Sequence, residues 1–307
     1  MELSGLLIKM AVFFTVMVIG YAAARTKKVG TDFAKGASWL TVNVFMTATI
    51  VNSAILNVPA VDGGELAGMM AVVSAAFVIM YAVGIAASKL LRQDRDHEGL
   101  AMAVMTVPNN MFIALPVLQE LYGAEAVLYV SLSCLPFNIL LYTYCVWRIK
   151  SGEGKFRFKP REMLSVPLLA TVAALILFVL RVDVPRPARE LLSSLSSATV
   201  PLSMMVVGAS LGSISLADAF KGRDTYLIAA VKLLAAPAAV WLIVRCLTDS
   251  ALIIAVCTVI AASPTGIIIT ALALNYGRDA VYVSKNTLAN TAISMATIPL
   301  IVYLFGL

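Results

Sequence analysis

The chain has 307 residues, of which 61% are hydrophobic and 13% charged, with mean hydropathy +0.92 and a formal net charge of +6. A soluble domain carries about 25% charged residues, so this chain could not cover a water-facing surface, and an all-α integral membrane protein is expected. The positive charge is concentrated in loops on one side, which sets aside nucleic acid as a partner in favour of the lipid bilayer.

In chain order, the first apolar run, 4–24, follows Glu2 rather than a basic region and is long enough to span. It therefore reads as a retained helix, not a cleaved leader. Runs at 34–56 and 66–91 come next, then 99–121, which contains TVPNNMFIALP (106–116). Runs at 125–148 and 163–181 follow, with the polar stretch Arg148 to Arg161 between them. Arg186 to Ser197 reads as a short interfacial helix ahead of a seventh span at 197–219. The last three are 224–247, 251–276 and 280–306, giving ten transmembrane helices.

Lys and Arg set the orientation. Loops after spans one, three, five, seven and nine carry fifteen of them, including Lys27, Lys28, Lys150 and Arg278; the opposite side carries Arg181, Arg186, Arg189 and Arg245. Basic residues stay inside, so both termini are expected outside a multi-pass protein of the cell inner or plasma membrane.

YGAEAVLYVS (122–131) and YGRDAVYVSK (276–285) share Tyr-Gly, an acidic residue, Ala-Val and a later Val-Ser, 154 residues apart. TVNVFM (41–46) and TVPLSM (199–204) echo each other at an offset of 158. These echoes suggest a duplication: 1–150, a cytoplasmic linker at 151–162, and 163–307. Five spans per half is odd, so the second half enters the membrane inverted, as in many secondary transporters.

Span four places Pro108, Asn109, Asn110 and Pro116 close together, and span nine has ASPTGIIITALAL (262–274) with Pro264, Thr265 and Gly266. Prolines remove backbone donors, and asparagine amides in hydrocarbon are costly unless paired. Broken helices at corresponding places in two halves point to a transport site, because half-helix N-termini suit anions and freed carbonyls suit cations. The alternative is a pair of proline kinks whose asparagines bond neighbouring helices. Lys285 either snorkels or pairs with Asp279, or else neutralises a substrate carboxylate. Lys232, in span eight, has the same two readings. The sole histidine, His97, falls in a charged loop and is expected to be solvated. GASLG (208–212) matches a nucleophile pattern, but lies in an apolar span. Its glycines four apart read as a close packing face. No enzyme and no metal site is expected.

These residues together resemble the auxin efflux carrier family, which includes plant auxin carriers and bacterial carriers of malate or malonate. The resemblance runs through Asn109, Phe112, Pro116 and Tyr122-Gly123, Phe137-Asn138, ATVPLSMMVVGASLG (198–212), Pro264 twelve residues before Tyr276, and NTAISMATIP (290–299). The chain departs from the family pattern at Thr47, Ala114 and Ile268, the last replacing a second crossing asparagine. The resemblance implies two inverted five-helix repeats in which helices four and nine cross where they unwind. It also implies a scaffold of spans one, two, six and seven, often dimerising, and a transport domain of the other six that moves in elevator fashion.

The resulting expectation is a secondary active or facilitative transporter of small organic anions. Its substrate site comprises Asn109 and Asn110 with the backbone around Pro108, Pro116 and Pro264 to Gly266; Asn43, Thr199 and Ser203 face it, and Lys285 adds charge. No cofactor is expected, and proton coupling, sodium coupling and uncoupled transport stay open. The alternatives are a sodium-coupled symporter or cation/proton antiporter of the same architecture, and a membrane metabolite sensor that moves nothing.

Overall fold

The computed structural model describes residues 3–55, 63–91, 95–150, 165–180, 182, 184–212 and 215–307. The expected linker at 151–162, most of the 57–65 connection, and the basic residues Arg92 and Arg181 lie outside them. Among the described residues the only regular structure is helical.

The helices are α1 (Leu3–Arg25), α2 (Thr31–Leu40), α3 (Thr47–Ile55), α4 (Gly63–Leu90), α5 (Arg95–Thr106), α6 (Leu115–Leu140), α7 (Val146–Ile149) and α8 (Val166–Leu180). There follow α9 (Arg186–Leu211), α10 (Leu216–Ala219), α11 (Arg223–Ala230), α12 (Ala236–Val244), α13 (Ala251–Ala262), α14 (Ile268–Asn275) and α15 (Ala280–Leu304). Wider π turns at Thr41–Met46, Leu141–Cys145 and Val231–Ala235 join α2 to α3, α6 to α7 and α11 to α12 without a break. Another, Asn110–Ala114, leads into α6. Two of them precede a proline, Pro116 or Pro237, which cannot close the usual bond to the turn before it.

Among the described residues, six helical stretches are long and apolar enough to cross a membrane: Asp32–Ile55, Leu66–Leu90, Asn110–Ile149, Arg186–Leu211, Arg223–Val244 and Ala280–Leu304. The 40-residue stretch is two helices joined at Gly123, whose φ of 70° and ψ of −149° break the helix and suit glycine. Shorter apolar helices, Ala11–Arg25, Val166–Leu177 and Ala251–Ala262, accompany them. The expected interfacial helix at 186–197 is not separate. It is the first half of α9, because nothing between Arg186 and Leu211 interrupts the helix and Pro187 sits in its first turn, where proline is tolerated.

The chain forms two compact units, each discontinuous. The first gathers Met1–Gly68, Met111–Cys134 and Leu164–Ser213, and so holds α1, α2, α3, α8, α9 and the front of α6. Within it α9 lies against α1 at glycine-lined contacts. A Cβ at Gly208 would collide with the Met17 carbonyl, at Gly20 with the Met205 carbonyl, and at Gly212 with the Ala24 side chain. The GASLG glycines therefore let two helix backbones approach, as their spacing suggested. Gly208→Ala should destabilise this unit by about 1–3 kcal/mol through overpacking. Gly36→Ala should stabilise α2 by roughly 0.5–1 kcal/mol, since Gly36 has open space at its Cβ. Thermal unfolding of the two variants, identical in chemistry and opposite in expected sign, checks this.

The second unit gathers Met69–Asn110, Leu135–Met163 and Ile214–Leu307. Its core joins Leu100 to Met105 of α5 with Leu141, Cys145 and Ile149, and with Ile269 and Ala273 of α14. Arg148 pairs with Glu98, and Gly99 lies so close that a Cβ would strike the Arg148 carbonyl. Every residue from Gly99 to Asn110 and from Ala255 to Gly266 is buried. Two helix breaks thus lie inside protein, the condition under which unwound backbone is tolerated at membrane depth.

Candidate functional site

The two breaks meet. Helix α5 stops at Thr106 and α13 at Ala262; the next residues run antiparallel, with Pro108 bridged to Thr265. The Asn109 N–H donates to the Pro264 carbonyl at 2.8 Å, and the Gly266 N–H to the Val107 carbonyl at 3.0 Å. Proline suits 108 and 264, since neither nitrogen is asked to donate here. Glycine suits 266 because a Cβ there would lie 2.9 Å from the Pro108 carbonyl oxygen. The Thr265 hydroxyl donates to the Val104 carbonyl at 2.7 Å and accepts from Asn290 Nδ2 at 2.9 Å. The crossing is therefore tied by backbone, by one hydroxyl and by an asparagine from α15.

Several polar atoms at or near this crossing are buried without a partner: both amide atoms of Asn110, the amide oxygens of Asn286 and Asn290, and the Thr287 hydroxyl. Asn110 is 3% exposed and Asn290 0%. A partnerless buried polar group costs about 1–3 kcal/mol, and such groups in a native fold call for an explanation. Donor and acceptor together suit a polar solute.

The residues expected at the site divide between the units. Pro108, Asn109, Asn110, Pro264, Thr265, Gly266 and Lys285 belong to the second; Asn43, Pro116, Thr199 and Ser203 belong to the first. Pro116 does not mark the break. It lies in the first turn of α6, six residues beyond the start of the π turn at Asn110. Asn43 spends its Nδ2 on the Trp39 carbonyl of its own helix. Thr199 bonds Thr49 at 2.7 Å, a link between helices of the first unit, whereas Ser203 is buried with its hydroxyl unpartnered.

Lys285 is half-buried, with its ammonium 3.6 Å from the place a Gly222 Cβ would take. It does not pair with Asp279. That carboxylate caps α15 by accepting from the Tyr282 N–H at 2.8 Å, and it bonds His97 at 3.3 Å. The Tyr282 bond holds the Asp279 carboxyl below the usual range, and His97 adds to this. His97 is not simply solvated: its ring packs 4.7 Å from that of Tyr282.

Asn290 was missed in the sequence, although an asparagine amid the apolar residues of a span is a signal in itself. Lys232, read either as snorkelling or as a charge for the solute, does not snorkel. It is 0% exposed and donates to the Ala261 carbonyl at 3.1 Å. A cavity of about 490 Å³ in the first unit was also missed. Thr49, Asn52, Gln119, Glu120 and Ser196 line it, and the amide oxygens of Asn52 and Gln119 are buried without a partner.

Long apolar helices, with two broken ones paired through their unwound backbone, define a membrane transport protein. A family model described as "Membrane transport protein" matches residues 6–166 and 158–302. The chain belongs to this family, that of the auxin efflux carriers. No curated protein matches it.

Proposed function

We propose that this protein is a secondary carrier of small organic anions whose solute is held at the crossing of the second unit. The observation that carries the reading is Asn110, buried at the meeting of two helix breaks with neither amide atom bonded. Its Nδ2 donates to a carboxylate oxygen, and the free amide oxygens of Asn286 and Asn290 take up hydroxyl or acid protons on the same solute. The half-helices that resume at Asn110 and Ile268 start at this place, and the positive end of a helix dipole favours an anion.

The breaks are 156 residues apart, counted from Pro108 to Pro264, close to the offsets of the two sequence echoes. This supports ten spans in two inverted five-helix repeats, 1–150 and 163–307; both termini outside rests on the basic loops alone. The family resemblance adds elevator-type movement of the crossing across the bilayer and assembly as a homodimer. The first unit draws α1, α2, α3, α8 and α9 together, the helices of the scaffold that the resemblance implies, but it also takes in Met111–Cys134, which the resemblance gives to the moving domain.

The experiment is uptake of labelled malonate, malate and indole acetate into proteoliposomes, with and without imposed proton and sodium gradients. Saturable uptake of one acid, reduced in a folded Asn109→Ala protein, supports the reading. Absence of uptake for every acid overturns the substrate class. Uptake that demands sodium favours the symporter.

A further inference from the structure

The two carbonyl ends that enter the crossing are satisfied by different chemistry. At the end of α5, the carbonyls of Ala103, Val104 and Val107 accept from the Val107 N–H, the Thr265 hydroxyl and the Gly266 N–H. At the end of α13, Val259 and Ile260 share the Ser263 N–H, and Pro264 takes the Asn109 N–H. The Ala261 carbonyl takes an ammonium, that of Lys232 at 3.1 Å.

Lys232 lies in the π turn Val231–Ala235, fully buried. Among the described residues no carboxylate forms an ion pair with it. A buried cation without a counter-ion is costly. The compensation present here is the negative end of α13, roughly half an elementary charge, focused on one carbonyl. In carriers with broken helices, half-helix carbonyl ends are where coupling cations sit. Nor does a helix break as such demand an ammonium. Shifted by the 156 residues that bring Pro264 onto Pro108, Lys232 falls on Ala76, which is buried and apolar. The carbonyl end of α5 makes do with a hydroxyl.

We propose that Lys232 is a tethered cation, holding at the carbonyl end of α13 the place a monovalent metal ion would otherwise take, so that the carrier works without sodium. The proposal rests on the crossing being the transport site, but not on which solute is carried. A tethered ammonium needs no ion from solution, and it leaves the crossing with a net positive charge suited to an anionic solute.

The test is thermal unfolding of the purified full chain, followed by tryptophan fluorescence in choline, sodium, lithium or methylammonium chloride at equal ionic strength. The native protein should melt at one temperature in all four. Lys232→Ala should melt lower in choline and recover by roughly 5 °C in sodium or methylammonium, as a vacated site fills. Lys232→Met, which fills the same space, should not respond. A folded Lys232→Ala unmoved by every small cation overturns the proposal. The native protein gives a second reading that needs no variant: melting or uptake that rises when sodium replaces choline overturns it, and indifference to the exchange supports it. Failure of every carboxylate in the uptake assay leaves the melting experiment intact, so the two readings fail separately.

Discussion

Replacing Asn110 with leucine should raise the melting temperature while cutting solute uptake about tenfold to a hundredfold. The side chain is 3% exposed and neither amide atom has a partner, so the folded protein without solute bears its desolvation unrelieved. Leucine has the same branched outline, though it is bulkier, and removes that cost, about 1–3 kcal/mol. In a chain of this size that is a gain of roughly 2–5 °C. A hydrogen bond to a charged solute is worth about 1.5–3 kcal/mol, and leucine forfeits it. Melting and uptake measured on one preparation check both signs. A drop in melting temperature would mean that the amide holds the fold together, and unchanged uptake would remove Asn110 from the site.

The largest loss of stability is expected from Thr265→Val. The hydroxyl serves two buried partners, donating to the Val104 carbonyl at 2.7 Å and accepting from Asn290 at 2.9 Å. Valine keeps the shape and leaves both unpaired, at about 1–3 kcal/mol each, or roughly 2–6 kcal/mol together. Thr265→Ser retains the hydroxyl and should recover most of that. Denaturant unfolding of the two variants separates the hydroxyl from the methyl group. Equal stability of Val and Ser would show that the tie between α5, the second break and α15 contributes little.

The two breaks were legible because prolines punctuate a helix in the sequence itself, Pro108 and Pro264 both sitting at them, whereas their crossing was implied only by the family resemblance. Pro116 misled because proline is also accepted in the first turn of a helix, and nothing local distinguishes the two uses. The partners of Thr265 were not legible, since Val104 lies 161 residues away and Asn290 reaches it from another helix. Lys232 was noted, but its bond to the Ala261 carbonyl was not legible, for a different reason. A lysine near the middle of a span reads as snorkelling unless the phase of its helix is known, and the π turn at Val231–Ala235 shifts that phase. The packing role of Gly208 was readable from small residues four apart. The composition of the two units was foreshadowed only by the family resemblance, and the place of Met111–Cys134 in the first unit was not.

Hydrogen–deuterium exchange of the purified protein, with and without a saturating amount of malonate, malate or indole acetate, tests the central claim most directly. The solute should slow exchange in peptides covering residues 106–114 and 263–270, where the two breaks pair. Protection confined to peptides lining the first unit's cavity, around Asn52, Gln119 and Ser196, with none at the crossing, would contradict it.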